Sequence, residues 1–144
     1  MTEPDVGDSL DAMIRAINRA YRLRLNDSTL ADLALPELQA LRFLERRPGA
    51  GLHHLAAETG RDKAQVTRAV RALEKRGLLL RQRDPADQRC HQLELTRDGR
   101  AACHLLKDIR TDLEAHMFAH LDRGERKQLS ALLQRCLQGL QTGD

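Results

Sequence analysis

The fold is decided by one stretch, Gly51 to Gly99, which runs GLHHLAAETGRDKAQVTRAVRALEKRGLLLRQRDPADQRCHQLELTRDG. Its first part predicts a short helix, because Leu52, Leu55 and Ala56 stand at i, i+3 and i+4, the spacing of one buried helix face. Gly60 can take a positive φ and so end that helix in a tight turn. The stretch therefore begins as a helix followed by a turn.

A second helix is predicted to begin with a capping box, in which the Asp62 side chain accepts hydrogen bonds from free backbone N–H groups and Gln65 reaches back. Its apolar residues fall on one face, which consists of Val66, Ala69, Val70 and Leu73. Successive steps of 100° place four other residues on the opposite face, namely Ala64, Arg68, Arg71 and Lys75. Two helices joined by a glycine turn, the second displaying basic side chains, form the geometry that lays a recognition helix in the DNA major groove.

A hairpin is predicted after this pair of helices. Residues 78–83 fit a first strand, residues 84–88 form a polar turn, and residues 89–96 fit a return strand with Leu93 and Leu95 facing inward. A hairpin in this position is a wing.

The wing is rich in arginine. We expect Arg81, Arg83 and Arg89 to flank its tip and to reach phosphates or a minor groove. The alternative is a solvated hairpin packed on a small helical domain. Helix spacing, turn residues and charge agree with one another, which favours the wing.

Positive charge is concentrated on the predicted DNA-binding part. The whole chain has 24 basic and 21 acidic residues, but Arg61 to Arg100 alone has 11 basic and 6 acidic residues, a net charge of +5, which leaves −2 for the remainder. This segregation is the electrostatic footprint of a nucleic-acid binder. The only aromatic residues are Tyr21, Phe43 and Phe118, too few for a platform that stacks single-stranded bases. Duplex DNA is therefore the expected partner.

Short motifs in this stretch, taken together, resemble the signature of the MarR family of regulators. They occur in the order and spacing of that family, as Leu55-Ala56, Val66-Thr67-Arg68, Leu73-Glu74-Lys75-Arg76-Gly77-Leu78, Arg81, Asp87-Gln88-Arg89, and Leu95-Thr96 with Gly99. The resemblance implies a homodimeric winged-helix regulator that binds pseudo-palindromic operators. Two departures are modest: Gln88 stands where a second arginine is frequent, and Leu35 precedes Pro36 where a polar helix cap is usual.

The resemblance also implies which residues contact DNA. Residues 62–71 correspond to the recognition helix, Arg89 to the wing arginine that enters the minor groove, and Asp87 to the residue that supports the wing. With the neighbouring basic and polar side chains added, the expected DNA-contacting set is Arg61, Lys63, Gln65, Thr67, Arg68, Arg71, Lys75, Arg83, Asp87 and Arg89.

Apolar residues at helical spacing predict four more helices around this part. They are expected from about residue 8 to residue 27, from Pro36 to about residue 47, from Thr96 onward, and from the capping box at Asp122 onward. The terminal apolar stripes face no evident internal partner, which favours burial against a second subunit, although one intramolecular bundle is the alternative. We therefore expect a mainly α single domain, 1–144, with a winged helix-turn-helix at 31–99 and dimerisation helices at 1–30 and 100–144.

The signal that such a regulator senses is less well marked. Family resemblance implies a small phenolic or lipophilic ligand, whose site Tyr21 and Phe43 are candidates to line, although both also fit a core. A redox hypothesis rests on Cys103 and on Cys90, where the neighbouring Arg89 could lower the thiol pKa. Cys136 lies in a stripe of leucines and is expected to be a small buried hydrophobe. The family's peroxide-sensing branch uses a cysteine near the N-terminus, and this chain has none before Cys90.

A metal hypothesis rests on a repeat of four residues. Asp112, His116 and His120 would lie along one flank of a long helix and could chelate a divalent ion, against the alternative of a polar helix flank. No residue pattern calls for an organic cofactor.

Other classes of protein are disfavoured. The sequence has no glycine-rich phosphate loop, nucleophile elbow or His-Glu-x-x-His motif, so an enzyme is not expected. Residues 1–5 do not resemble a signal peptide, no apolar run approaches the roughly 20 residues of a membrane span, and the scattered cysteines favour the cytoplasm. We expect a DNA-binding repressor released by a small molecule. A redox- or metal-responsive regulator and an architectural DNA-binding protein without an inducer are the alternatives.

Overall fold

Six helices and one antiparallel hairpin are formed by residues 2–87 and 91–143, which are the part of the chain that this computed structural model describes. In chain order they are α1 (Val6–Asn26), α2 (Leu35–Arg46), α3 (Leu52–Thr59), α4 (Lys63–Lys75), β1 (Leu79–Arg83), β2 (His91–Leu95), α5 (Arg97–Met117) and α6 (Arg123–Gln141). The predicted mainly α fold with a two-stranded wing is confirmed.

Local signals set the ends of the helix-turn-helix as the sequence predicts. Gly60 ends α3 with φ +66°, and Gly77 follows α4 with φ +71°. Asp62 caps α4, since its Oδ1 accepts a hydrogen bond from the N–H of Gln65 at 2.8 Å. The other half of the predicted capping box, a bond from the N–H of Asp62 to the Gln65 side chain, is not formed, although the structure describes both residues. The start of α2 has no polar cap, and the Glu37 carboxylate instead accepts from the N–H of Ala34 at 2.9 Å.

The hairpin has a regular register. Arg81 pairs with Leu93, and Arg83 pairs with His91. Leu93 is fully buried, as predicted, whereas Leu95 is only half-buried. At the middle of β2 the N–H of Leu93 donates to the carbonyl of Ala50 at 3.0 Å, which attaches β2 to the loop before α3. The wing is therefore attached to the helical part through its second strand.

Residues 1–109 form one of two compact units. Within it α2 packs against α3, α4 and β2, and α4 packs against α3 and β1. The first half of α5 adds Ala102, Cys103 and Leu106 to the same buried set. The largest fully buried side chains of this unit are Phe43, Leu25, Leu33, Leu41, Leu44, Leu55, Leu73, Leu79, Leu93 and Leu106.

Residues 110–144 form the second unit, of which residues 110–143 are described. The predicted capping box is confirmed: Asp122 Oδ1 accepts from the N–H of Glu125 at 2.8 Å, and Glu125 Oε1 accepts from the N–H of Asp122 at 3.0 Å. Arg126 fastens the turn before α6 by donating to the carbonyls of Phe118 and Leu121. Cys136 is exposed, and no described residue of α6 is buried in the single chain. The prediction that Cys136 is a small buried hydrophobe is therefore wrong for the single chain.

Apolar side chains remain exposed on α1 and on α6. Leu25 is the only residue of α1 that is buried. The exposed apolar residues of the two helices are Val6, Leu10, Met13, Ile14 and Leu23 on α1, and Leu132, Leu133, Leu137 and Leu140 on α6. Neither these nor the other described helices combine the length with the apolar character that a membrane-spanning helix requires.

Candidate nucleic-acid interface

The second helix of the helix-turn-helix, α4, has one buried and one basic face. Its apolar stripe is buried as the sequence predicts, with Val66, Ala69, Val70 and Leu73. The basic side chains of the opposite face are exposed, namely Arg68, Arg71 and Lys75, and Lys63 is exposed at the first residue of the helix. No carboxylate of the described residues forms an ion pair with any of these four. Their charge is therefore available to a polyanion.

Three more of the expected DNA-contacting residues are less exposed. Gln65 and Thr67 are half-buried on the side of α4, and the Thr67 hydroxyl donates to the carbonyl of Lys63 at 2.8 Å. Arg61 is half-buried as well, because its Nε donates to Gln39 Oε1 at 2.8 Å. The Arg61–Gln39 bond fixes the turn before α4 against α2. The Thr67 hydroxyl oxygen can still act as an acceptor.

Of the three arginines predicted to flank the tip of the wing, the structure describes Arg81 and Arg83. Arg83 is exposed at the end of β1, and Asp87 is exposed in the turn, which Asp84 begins by accepting from the N–H of Ala86 at 2.8 Å. Gln88, Arg89 and Cys90 lie outside the described residues, so the wing arginine stays a prediction.

The expectation that Arg81 flanks the tip of the wing is wrong. Its Nε donates to Glu74 Oε1 at 2.5 Å, and the two side chains are 23% and 33% exposed. Glu74 lies on the last turn of α4, within reach of the middle of β1. This ion pair holds the wing against α4. The Arg81 guanidinium therefore binds Glu74 and does not extend toward the tip of the wing.

A second arginine has a role that the sequence does not reveal. Arg76, directly after α4, forms an ion pair with Asp32 in the loop between α1 and α2, and its Nη2 donates to the carbonyl of Thr29 at 3.0 Å. Hydrogen bonding to Arg76 lowers the pKa of Asp32, and the same bond raises the pKa of Arg76. Thr29 and Arg76 are 47 residues apart, a separation at which no helical or strand spacing gives a signal.

The two aromatic ligand candidates occupy different environments. Phe43 belongs to the core, with 1% exposure, which is the alternative that the sequence left open. The Tyr21 ring lies under the Arg42 guanidinium, 4.6 Å from ring centroid to Cζ, and its buried hydroxyl has no hydrogen-bond partner among the described residues. A cavity of about 290 Å³ lies elsewhere, and neither aromatic residue lines it. Its lining residues are Leu44, Glu45, Pro48, Glu94, Leu95, Arg100, Cys103 and His104.

The thiol of Cys103 is unsuited to sensing oxidants. It is buried, and its Sγ donates to the carbonyl of Leu41 at 3.5 Å. Burial, with a smaller contribution from the Glu45 charge, raises the pKa of Cys103 to about 11. The reactive form of a cysteine is the thiolate, which this environment disfavours. Cys90, the other redox candidate, lies outside the described residues.

The three metal candidates are not brought together. α5 ends at Met117, so His120 falls in the following turn and the helical repeat is interrupted. His116 Nδ1 lies 2.8 Å from the carbonyl oxygen of Asp112 and 3.8 Å from its carboxylate. Within residues 2–87 and 91–143, no three His, Cys, Asp or Glu side chains are arranged to hold a metal ion.

A helix-turn-helix with a basic second helix, followed by a two-stranded wing, defines a winged-helix DNA-binding protein. The sequence model of the MarR family matches residues 33–91. A putative transcriptional regulatory protein for the hcr operon of Thauera aromatica is 28% identical over 117 residues, which cover 81% of this chain and 70% of that protein.

Two solved structures extend this likeness to nearly the whole chain. Streptococcus pneumoniae FabT, in complex with DNA, superposes with a TM-score of 0.86 at 20% identity, over 94% of this chain and 95% of that one. PcaV of Streptomyces coelicolor, in complex with its natural ligand, superposes with a TM-score of 0.70 at 25% identity, over 96% and 98% of the two chains. This chain is therefore similar to the MarR family in sequence over residues 33–91, and it shares the fold of the two solved structures over nearly its whole length. Together with the exposed basic face of α4, these similarities identify a DNA-binding transcriptional regulator. The family that residues 33–91 match consists of transcriptional regulators and not of enzymes.

Proposed function

We propose that this chain is a homodimeric repressor that binds a pseudo-palindromic operator through α4 and the wing and is released by a small molecule. The observation that carries the proposal is the exposed basic face of α4, on which Arg68 and Arg71 form no ion pair within the described residues. In this proposal residues 31–99 contact DNA, while residues 1–30 and 100–144 assemble the dimer.

The DNA contacts divide between the helix and the wing. Arg68 and Arg71 are placed to meet base edges or phosphates in the major groove, together with the half-buried Gln65 and Thr67. Lys63, Lys75, Arg61 and Arg83 are assigned to phosphates. Arg89, supported by Asp87, is assigned to the minor groove on the strength of the family resemblance. Loss of Arg89 should then weaken binding mainly at sites with narrow A·T minor grooves.

The dimer is supported by the exposed apolar residues of α1 and α6. Leu133 and Leu137 are 47% and 49% exposed in the single chain, and a helix that displays such a stripe usually buries it against a partner. Leu133→Glu with Leu137→Glu should therefore lower the mass that light scattering measures from dimer to monomer. Gln134→Glu, on an exposed residue of the same helix, is the control. A monomeric mass for the unmodified chain would refute the dimer.

The proposed ligand is a small phenolic or lipophilic molecule. Two observations support it: the similar PcaV has been solved with its natural ligand, and the buried Tyr21 hydroxyl has no hydrogen-bond partner among the described residues. Tyr21→Phe should then change the concentration of ligand that releases operator DNA, while leaving DNA affinity without ligand unchanged. An architectural protein without an inducer would show no release by any compound of this class.

The test of the DNA-binding face compares two double variants with the same loss of charge. Arg68→Ala with Arg71→Ala removes the proposed contacts, whereas Lys107→Ala with Lys127→Ala removes two exposed charges elsewhere. Fluorescence anisotropy on a selected duplex should show a loss of about 1–3 kcal/mol for each base-contacting arginine and a much smaller loss for the control. Equal affinities for the two double variants would refute the proposed face.

A further inference from the structure

The loop between α1 and α2 is held from two sides by arginine side chains. From α4, Arg76 forms the ion pair with Asp32 and donates to the carbonyl of Thr29 at 3.0 Å. From α1, Arg22 Nη1 donates to the carbonyl of Leu33 at 3.1 Å and more weakly to that of Ala31 at 3.4 Å. A chain of polar contacts thus runs from α1 through this loop to the end of α4.

The loop is a firm anchor for Arg76. Leu30 and Leu33 on either side of Asp32 are 3% and 1% exposed, so the loop backbone is fixed to the core. The Arg76 side chain itself is only 30% exposed, and the N–H of Arg76 continues the α4 hydrogen-bond pattern by donating to Ala72. Moving the C-terminal end of α4 would therefore require breaking the contacts of Arg76 with the loop.

We propose that Asp32 and Arg76 form a clamp that sets the orientation of α4 for operator recognition. Arg76 is a positioning residue in this proposal and not a DNA contact, because its guanidinium is occupied by Asp32 and Thr29. The proposal rests on the proposed role of α4 as the helix that contacts DNA. Specific binding needs both recognition helices of a dimer aligned on half-sites about 10 bp apart, whereas nonspecific binding depends mainly on total charge.

The direction in which Asp32→Asn changes operator affinity distinguishes the clamp from a general electrostatic effect. Removing a carboxylate from a DNA-binding protein raises its net positive charge, which by itself strengthens binding to the polyanion. Loss of the clamp has the opposite effect on operator DNA. Asp32 is 75% exposed, so Asp32→Asn removes the charge without creating a cavity. A weaker operator complex for this variant has no simple electrostatic cause.

The experiment measures operator and nonspecific DNA affinities by fluorescence anisotropy, with thermal unfolding of each variant as the check on folding. Asp32→Asn should weaken operator binding roughly threefold to tenfold, in line with coupling between linked elements, and leave nonspecific affinity unchanged or slightly raised. Asp27→Asn is the matched control, because Asp27 lies at the start of the same loop, is exposed, and forms no ion pair among the described residues. It should bind operator as tightly as the unmodified chain, or more tightly.

A double-variant comparison tests whether Asp32 acts through Arg76. In an Arg76→Met background, Asp32→Asn should cause no further loss of operator affinity. Arg76→Lys should restore part of the affinity, because an ammonium can pair with Asp32 but lacks the planar fork that also reaches Thr29.

The outcomes separate this proposal from the proposed function. If Asp32→Asn binds operator as tightly as Asp27→Asn, the clamp has no positioning role and the proposal is overturned. The proposal is also overturned if Asp32→Asn lowers thermal stability but not operator affinity, because the contact is then merely structural. If the Arg68 and Arg71 double variant also keeps full affinity, the assignment of α4 as the DNA-contacting helix fails instead.

Discussion

Gly99 is the position where the structure tolerates a side chain least. It is buried in the first turn of α5, and a Cβ atom there would stand 1.9 Å from the carbonyl oxygen of Leu78 and 2.9 Å from its carbonyl carbon. Because real Cβ contacts essentially never fall below 3.0 Å, Gly99→Ala must move two backbone segments apart by at least 1.1 Å, the difference between 3.0 and 1.9 Å. Leu78 is not free to yield, since its N–H donates to Leu73 and its carbonyl accepts from Thr96 at 3.1 Å.

The free energy of this change can be estimated from two opposing effects. Overpacking of a fixed interior costs about 1–3 kcal/mol, and a clash with backbone belongs at the upper end. The better helix propensity of alanine offsets up to about 1 kcal/mol of this loss. The net expectation is a loss of about 2 kcal/mol in the free energy of unfolding.

Urea unfolding followed by circular dichroism measures this loss. Gly139→Ala is the matched control, because nothing lies within 4 Å of a Cβ at that helical position and the substitution should stabilise the chain slightly. If Gly99→Ala unfolds within about 0.5 kcal/mol of the unmodified chain, the ordinary range for harmless substitutions, the argued contact of α5 with the base of the wing is refuted.

Cys103 should react with iodoacetamide at pH 8 only after unfolding, since its pKa is about 11, and labelling in the native protein, seen by mass spectrometry, would contradict this. The same pKa, raised from an ordinary 9.0, makes the free energy of unfolding fall as the pH rises from 9 toward 11, because the unfolded chain releases the thiol proton first. Cys103→Ala should lack this contribution, and identical pH profiles for the two proteins would exclude it. Asp62→Ala removes the cap of α4 and should lower the free energy of unfolding by about 1 kcal/mol. An unchanged urea midpoint would contradict this. Glu74→Gln should weaken the ion pair with Arg81, so that amide hydrogen exchange in β1 speeds up, whereas unchanged exchange would deny that this pair braces the wing.

The parts of the fold that the sequence predicts correctly depend on neighbouring residues. Gly60, Asp62 and the buried stripe of α4 act within one or two turns, so spacing alone places them. The capping box at Asp122 is equally local. For the same reason the exposed basic face of α4 follows from the helical repeat, because it lies opposite the buried stripe.

The parts that the sequence does not predict depend on contacts between distant segments. Arg81 belongs by position to the wing, but Glu74 on the neighbouring helix decides where its guanidinium goes. The ion pair of Arg76 with Asp32 and the close approach of Gly99 to Leu78 likewise join segments whose separation no periodic pattern encodes. A repeat of Asp and His every four residues predicts a common helix face only while the helix continues, and α5 ends before His120.

The central claim, that two copies of this chain contact duplex DNA through α4, is tested most directly by a hydroxyl-radical footprint on a duplex selected by the purified protein from a random library. We expect an inverted repeat with two protected half-sites whose centres lie about 10 bp apart, and affinity that falls steeply as salt rises, because many contacts are made to phosphates. Protection of one non-palindromic site by a single chain, or failure to select any sequence, would contradict the claim.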